Sequence, residues 1–307
     1  MRIGVIGCGA VGSLFAAHLA GLEDVEVWAY DVWPEHVAAI ERDGLRVVGV
    51  GSVVARLRAT TDPTALPDMD FGIVAVKGMY TRDAVAASAR AFQDAAVCSV
   101  QNGVGNEEII AEFVPRVIRG TTFPAGKVIA PGVVHWDTAG KTWIGPFEPT
   151  PATMDEVRLL AEMLTRSGME TDALEDARGA QWTKLIFNAA SNALCSLTGL
   201  PHGRAALHRD VRWVMDRVIE EGKAVAEALG IAMDKDPALL LEESIEPALD
   251  HAPSMLQDVR MRRRTEIDQL NGGIVRFGEE TGIDTPMNRA AWALVRGLEA
   301  SWNLEGA

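Results

Sequence analysis

The sequence predicts an α/β domain built on a doubly wound parallel sheet, followed by an all-α C-terminal domain. Three observations predict it. A glycine turn, "GCGAVG" at 7–12, follows the first apolar run directly and opens a helical pattern. Short β-type runs then alternate with helical ones through the first half, which implies crossover units and a sheet covered on both faces. From about residue 175 onward strand patterns nearly vanish and long helical ones take over. A chain of 307 residues is large for one core. The expected domains are 1–174 and 175–307.

In chain order, the expected strands of the first domain are 2–7, 25–31, 71–77, 96–102 and 117–123. The first, third and fourth are apolar almost throughout, as strands buried on both faces are. Helical patterns fall at 10–22, 34–44, 80–93 and 105–113. From 125 to 146 Gly and Pro turns separate short β-prone pieces, which suggests an antiparallel edge appended to the sheet. A helix at 151–167 and a strand at 169–173 complete the domain. Helices are then expected at 175–198, 204–229, 237–250, 253–281 and 286–301.

Composition narrows the function. The 29 basic and 43 acidic residues give a formal charge of -14, which argues against nucleic acid or an anionic membrane as partner. Cys8, Cys98 and Cys195 are widely spaced and suggest neither a metal site nor a disulfide framework, so a cytoplasmic location is expected. Arg2 and the apolar run after it resemble a signal peptide in outline. The glycines that punctuate the run belong to another motif, and no targeting or membrane-spanning segment is expected.

That motif is the dinucleotide fingerprint of a Rossmann-type domain. Gly7 permits a tight turn, Gly9 lets backbone approach a pyrophosphate, and Gly12 allows close helix–strand packing. The stretch Gly7, Cys8, Gly9, Ala10, Val11 and Gly12 is the expected phosphate cradle, with the helix N-terminus facing the anion. Asp31 ends the second strand, where an acid accepts hydrogen bonds from both adenosine ribose hydroxyls and repels a 2'-phosphate. This favours NAD over NADP. Asp is equally suited to capping the helix that follows. Lys77, ending the third strand, either reaches the cofactor or snorkels into water.

A second set of polar residues lies in "WTKLIFNAASNAL" at 182–194. Lys184, Asn188 and Asn192 are four apart, and so form a polar stripe on an otherwise largely apolar helix. An exposed face would explain the stripe, except that Asn is a poor helix former to place twice there. The alternative is a row of donors lining a pocket. "SVQNGVGN" at 99–106 sets Asn102 at the carboxyl end of a strand, where ligands of such sheets sit. An Asn-Gly pair is also an ordinary turn. In "SMLQDVRMRRRTEIDQLNGGIV" at 254–275, Ser254 and Glu266 fall twelve positions apart on one expected helix. The arginines at 260, 262, 263 and 264 spread around that helix and are expected in solvent, where they can steer an anionic substrate.

Together these blocks resemble the ketopantoate reductase (2-dehydropantoate 2-reductase) family, over essentially the whole chain. The carriers are "GCGAVG", "VKG" at 76–78, "QNGVGN", "WTKLIFNAASNAL" and "SMLQDVRMRRRTEID", with "NGG" and "TP" beyond. The resemblance implies NAD(P)H-dependent reduction of a 2-oxo acid to a 2-hydroxy acid, ketopantoate to pantoate in pantothenate and coenzyme A biosynthesis. It implies Lys184 and Glu266 as catalytic residues, and Asn102, Asn188, Asn192 and Ser254 as substrate-binding ones. Lys77 matches a cofactor-side lysine, and Asn102 also stands on the cofactor side. Asp31 departs from the pattern, because many members are NADP-linked with a basic residue there.

The chemistry agrees. A ketone becoming an alkoxide needs a hydride donor, a proton donor and electrophilic help, and an ammonium can supply the last two. Burial lowers the pKa of Lys184 and a facing Glu266 raises it, so the balance stays open. Carboxamides and Ser254 are neutral donors suited to a carboxylate and a hydroxyl. Other readings are a β-hydroxyacid or 6-phosphogluconate dehydrogenase, which also carry a Lys with an Asn four residues later, and an NAD-linked member of the same family acting on another 2-oxo acid. More distant is a non-catalytic NAD-binding sensor. The apolar periodicity of the helical domain is enough to support a homodimer.

Overall fold

The computed structural model describes residues 1–302. Its contacts cluster into two compact units. Met1–Gln101 with Asn106–Ala177 form the first, and Asn102–Gly105 with the chain from Arg178 onward form the second.

The first unit is built on an eight-stranded sheet. Its members are β1 (Arg2–Ile6), β2 (Glu26–Tyr30), β5 (Arg58–Thr60), β6 (Phe71–Val74), β7 (Ala96–Ser99), β8 (Arg116–Thr122), β11 (Thr142–Pro146) and β12 (Thr171–Ala173). The order is β12-β11-β8-β7-β6-β1-β2-β5. From β5 to β8 every pairing is parallel, and β1 lies between β2 and β6. The chain therefore reverses direction across the sheet at β1, the topological switch point of a doubly wound fold. Helices α1 (Ala10–Leu19), α2 (Pro34–Asp43), α3 (Thr81–Ser88), α4 (Asn106–Ala111) and α5 (Met154–Arg166) accompany the strands.

Two details depart from the expected first domain. The segment 45–55, outside every strand expected from the sequence, holds β3 (Leu45–Gly49) and β4 (Val53–Ala55). The pieces after 125 do not form a single appended edge. β11 pairs antiparallel with β8, whereas β9 (Ala125–Ala130) and β10 (Val133–Thr138) join β3 and β4 in a separate four-stranded sheet. β10 runs parallel to β3 and antiparallel to β9. The cause shows in α1, which packs on this small sheet as well as on β1 and β2. Leu14, Phe15, Ala16, Ala17 and Leu19 are fully buried, and Ser13 with them. A helix covered on both sides is apolar all round. That explains the run that resembles a signal peptide.

The second unit is helical, as expected. Its helices are α6 (Arg178–Thr198), α7 (His202–Leu207), α8 (Arg209–Ala228), α9 (Pro237–Ser244), α10 (Ser254–Arg260), α11 (Asn271–Thr281) and α12 (Pro286–Ser301). α6 carries Leu185, Ile186, Ala189, Ala190 and Ala193 into the core at 0–1 % exposure. The expected helix over 253–281 is two helices with a ten-residue irregular segment, 261–270, between them. Arg262 takes a left-handed φ of 51°, and the N–H of Arg263 turns back to the carbonyl of Asp258 at 2.8 Å. Its guanidinium meets the same residue's carboxylate at 3.0 Å. Ser254 and Glu266 therefore do not share a helix.

Candidate active site

In the first unit the glycine turn is fixed by sterics at two of its three glycines. Gly7 has φ +90°, and a Cβ there would meet Val76 at 2.5 Å. At Gly12 a Cβ would lie 1.9 Å from the carbonyl oxygen of Gly7, so glycine alone lets α1 close on the strand. Gly9 differs, because nothing lies within 4 Å of its Cβ position. The fold does not demand glycine there, and the open space suits a pyrophosphate. Ser13 makes the first helical bond, to the carbonyl of Gly9 at 3.0 Å. The N–H groups of Ala10, Val11 and Gly12 stand at the positive end of the helix dipole.

Asp31 is tied to this turn. One carboxylate oxygen accepts the N–H of Cys8 at 2.7 Å, and the other accepts that of Trp33 at 2.9 Å. Trp33, not Asp31, holds the N-cap position of α2, and no side chain caps that helix. A carboxylate has about four acceptor positions, so two bonds leave capacity for hydroxyl donors. Cys8 is fully buried, and burial together with the Asp31 charge pushes its thiol pKa well up. It contributes backbone, not thiolate chemistry.

Lys77 follows β6 and is half-buried at the N-cap of a short 3-10 turn, Gly78–Tyr80. A buried network supports that turn. Gln101 donates to the carbonyl of Val76 at 2.8 Å and to the hydroxyl of Thr81 at 2.7 Å. Thr81 in turn donates to Gly78 at 2.9 Å and to Asn106 at 3.1 Å. Reading the sequence passes over Gln101, Thr81 and Asn106 as site-building residues. The polar Gln-Asn pair closing an apolar strand is the one sign of them.

In the second unit three of the sequence-predicted residues meet. The ammonium of Lys184 donates to Oδ1 of Asn102 at 2.8 Å, and Nδ2 of Asn102 donates to Oε2 of Glu266 at 3.1 Å. Asn102 thus joins cation and anion through its two ends. Its position depends on Gly103, at φ +83°, where a Cβ would lie 2.3 Å from the carbonyl oxygen of Gln269. The N–H of Val104 donates to that same oxygen at 3.1 Å. Gln181, buried one turn before Lys184, donates to the carbonyl of Gly103 at 3.3 Å. The α6 stripe thus begins at 181, not 184. Asn188 is half-buried and Asn192 buried, one and two turns beyond Lys184. Ser254 is exposed at the start of α10, a helix packed on α6.

Burial lowers the pKa of Lys184 to about 8, with the charge of Glu266 opposing the shift. Desolvation penalises the ammonium more than the nearby carboxylate supports it. A cation poised to lose its proton near neutrality, hydrogen-bonded into a polar stripe, is what proton donation to a carbonyl oxygen requires.

Residues 3–149 match the family described as "Ketopantoate reductase PanE/ApbA", and 176–299 match its C-terminal family. The chain belongs to the ketopantoate reductase family. It is an oxidoreductase of that family by the same comparison. A 2-dehydropantoate 2-reductase of Pyrococcus horikoshii is 34 % identical over 303 residues, 98 % of either chain. The solved PanE/ApbA family ketopantoate reductase of Ralstonia eutropha is 34 % identical, covers 98 % of this chain and 99 % of its own, and has a TM-score of 0.88. A D-mandelate dehydrogenase solved with NADH and anilino(oxo)acetate is 27 % identical over 99 % of this chain and 100 % of its own, with a TM-score of 0.90. The expected family and fold are therefore both found, and the NADH-bound neighbour supports a nicotinamide cofactor.

Proposed function

We propose that the protein reduces ketopantoate to pantoate with NADH. The observation that carries the chemistry is the Lys184–Asn102–Glu266 chain of hydrogen bonds. The substrate follows from the 2-dehydropantoate 2-reductases it resembles over nearly its full length. The turn Gly7–Gly12, with Cys8, Ala10 and Val11 between its glycines, would hold the pyrophosphate. Asp31 would take the ribose hydroxyls, and Lys77 and Asn102 would contribute to holding the cofactor. When bound, the cofactor supplies hydride to the ketone carbon.

The protein's own residues handle the oxygen. Lys184 stabilises the developing alkoxide and gives it a proton, and Asn102 keeps the ammonium aimed. Glu266 holds Lys184 protonated at neutral pH and accepts a hydrogen bond from the substrate's hydroxyl. Asn188, Asn192 and Ser254 donate to its remaining polar groups. Asp31, a neighbour whose name includes NADH, and the absence of an arginine in "YDVWPEH" support NAD over NADP.

The likeness to a D-mandelate dehydrogenase favours one second reading, an NAD-linked member acting on a different 2-oxo acid. Steady-state kinetics with NADH and NADPH, against ketopantoate and a panel of branched and aryl 2-oxo acids, separates the two. The largest kcat/KM is expected for ketopantoate with NADH. A larger value for another 2-oxo acid favours the second reading. No oxidation of either cofactor with any member of the panel would sink both and return the sensor.

A further inference from the structure

The irregular segment that carries Glu266 is held by α12. Thr265, 1 % exposed, donates both its N–H, at 2.8 Å, and its hydroxyl, at 2.6 Å, to Oε1 of Glu299. The same hydroxyl oxygen accepts the N–H of Ile267 at 3.4 Å. Glu266 is thus the middle residue of a turn closed by a threonine side chain. Seven residues before Glu299, on the same face of α12, Trp292 donates to Oδ1 of Asp268 at 2.7 Å. Ile267 and Leu270, each 1 % exposed, fix the segment's apolar side. One helix therefore grips both flanks of Glu266.

We infer that Glu299 is a positioning residue for the reduction, acting through Thr265 to hold the Glu266 carboxylate at Asn102. The inference rests on the reading of Glu266 given above. Removing the Glu299 carboxylate leaves two Thr265 donors buried without their acceptor, and such donors are costly enough to make a segment rearrange. Glu266, the next residue, has no regular helix around it to keep its direction. Three arginines of the segment and of α12 pair with other carboxylates: Arg263 with Asp258 at 3.0 Å, Arg264 with Asp268 at 3.4 Å, and Arg296 with Asp268 at 4.0 Å. These remain in a Glu299 variant, so a change at Lys184 reports on Glu266.

The test is the pH profile of kcat and kcat/KM for wild type, Glu299→Ala, Glu299→Gln, Glu266→Gln and the Glu266→Gln/Glu299→Ala double variant. Displacing Glu266 removes the charge that supports the ammonium, so Glu299→Ala should move the alkaline limb down by about half a pH unit. Its kcat should fall more than its KM rises. Glu299→Gln, whose amide oxygen still accepts from Thr265, should restore both. The double variant should match Glu266→Gln alone, because the two changes act through one group. A Glu299→Ala variant that melts lower but keeps the wild-type limb overturns the inference. So does an undiminished effect of Glu299→Ala in the Glu266→Gln background. A wild-type limb in Glu266→Gln overturns the Glu266 reading itself, and the inference with it. Thr265→Val, which removes only the hydroxyl, carries the same readouts if Glu299→Ala does not fold.

Discussion

Lys184 and Glu266 share Asn102, which accepts from the one at 2.8 Å and donates to the other at 3.1 Å. The amide orients both charged groups. Asn102→Ala should therefore cost activity without removing either charge. A loss of roughly 10-fold or more in kcat is the expectation for one lost positioning contact. An alanine variant as active as wild type would mean that Asn102 is only a turn residue.

Lys184→Ala should lower kcat by about 10²–10⁴, the range for a positioned acid–base group, while NADH binding by fluorescence stays near wild type. In the wild type the donor must be protonated, so the reduction rate should fall as pH rises through about 8. A rate flat across that region would place the proton donor elsewhere.

Glu266→Gln should move this alkaline limb to lower pH, because the carboxylate raises the pKa of Lys184 against the effect of burial. Asp268→Asn is the comparison, although not the inert one that a shared helix would suggest, since Asp268 holds Trp292 at 2.7 Å. Asp268→Asn should lower stability more than it moves the limb. If Asp268→Asn alone shifts the limb, the carboxylate that acts on Lys184 has been misassigned.

Two glycines of one motif should behave oppositely. Gly9→Ala adds a methyl group to open space and should cost less than about 1 kcal/mol of stability, yet weaken NADH binding clearly. Gly12→Ala forces a carbon to within 1.9 Å of the Gly7 carbonyl oxygen and should lower the melting temperature markedly. Thermal melts with and without NADH distinguish them. Unchanged NADH affinity in Gly9→Ala would mean that the open space is not the phosphate site.

Asp31→Arg should move preference from NADH toward NADPH. Asp31→Asn, which can keep an acceptor for Trp33, controls for the loop bonds. A wild type that already prefers NADPH by tenfold, about 1.4 kcal/mol, would show that the acid does not select the cofactor.

His202 gives the helical unit an acid limit. It is 3 % exposed between the hydroxyls of Ser191 and Ser244, at 2.6 and 2.7 Å. Burial, with His251 adding to it, lowers its pKa from 6.5 to about 4. Between those values the unfolded chain takes a proton that the folded one refuses, so stability falls as pH falls through the window. The linkage is worth up to about 3 kcal/mol. His202→Gln should melt lower at neutral pH but lose less on acidification. An equal acid loss in the variant would assign it to other groups.

The sequence by itself determined the α/β order, the glycine turn and the helical second half, because each is written in local periodicity or in a steric demand on one residue. Gly12 is legible for that reason, and so is the four-residue stripe from Lys184 to Asn192. Tertiary structure decided the rest. The small sheet forms where β3 pairs with β10, segments more than eighty residues apart in sequence, which no local pattern encodes. The break before Glu266 was hidden because Arg260 to Arg264 suit a helix as well as a loop, and only Asp258 and Glu299 make the loop the better choice. The same holds for the site. Sequence proposes Lys184, Asn102 and Glu266 as separate polar residues. Folding makes them one chain of hydrogen bonds, since the distance between side chains 82 and 164 positions apart is set by packing alone.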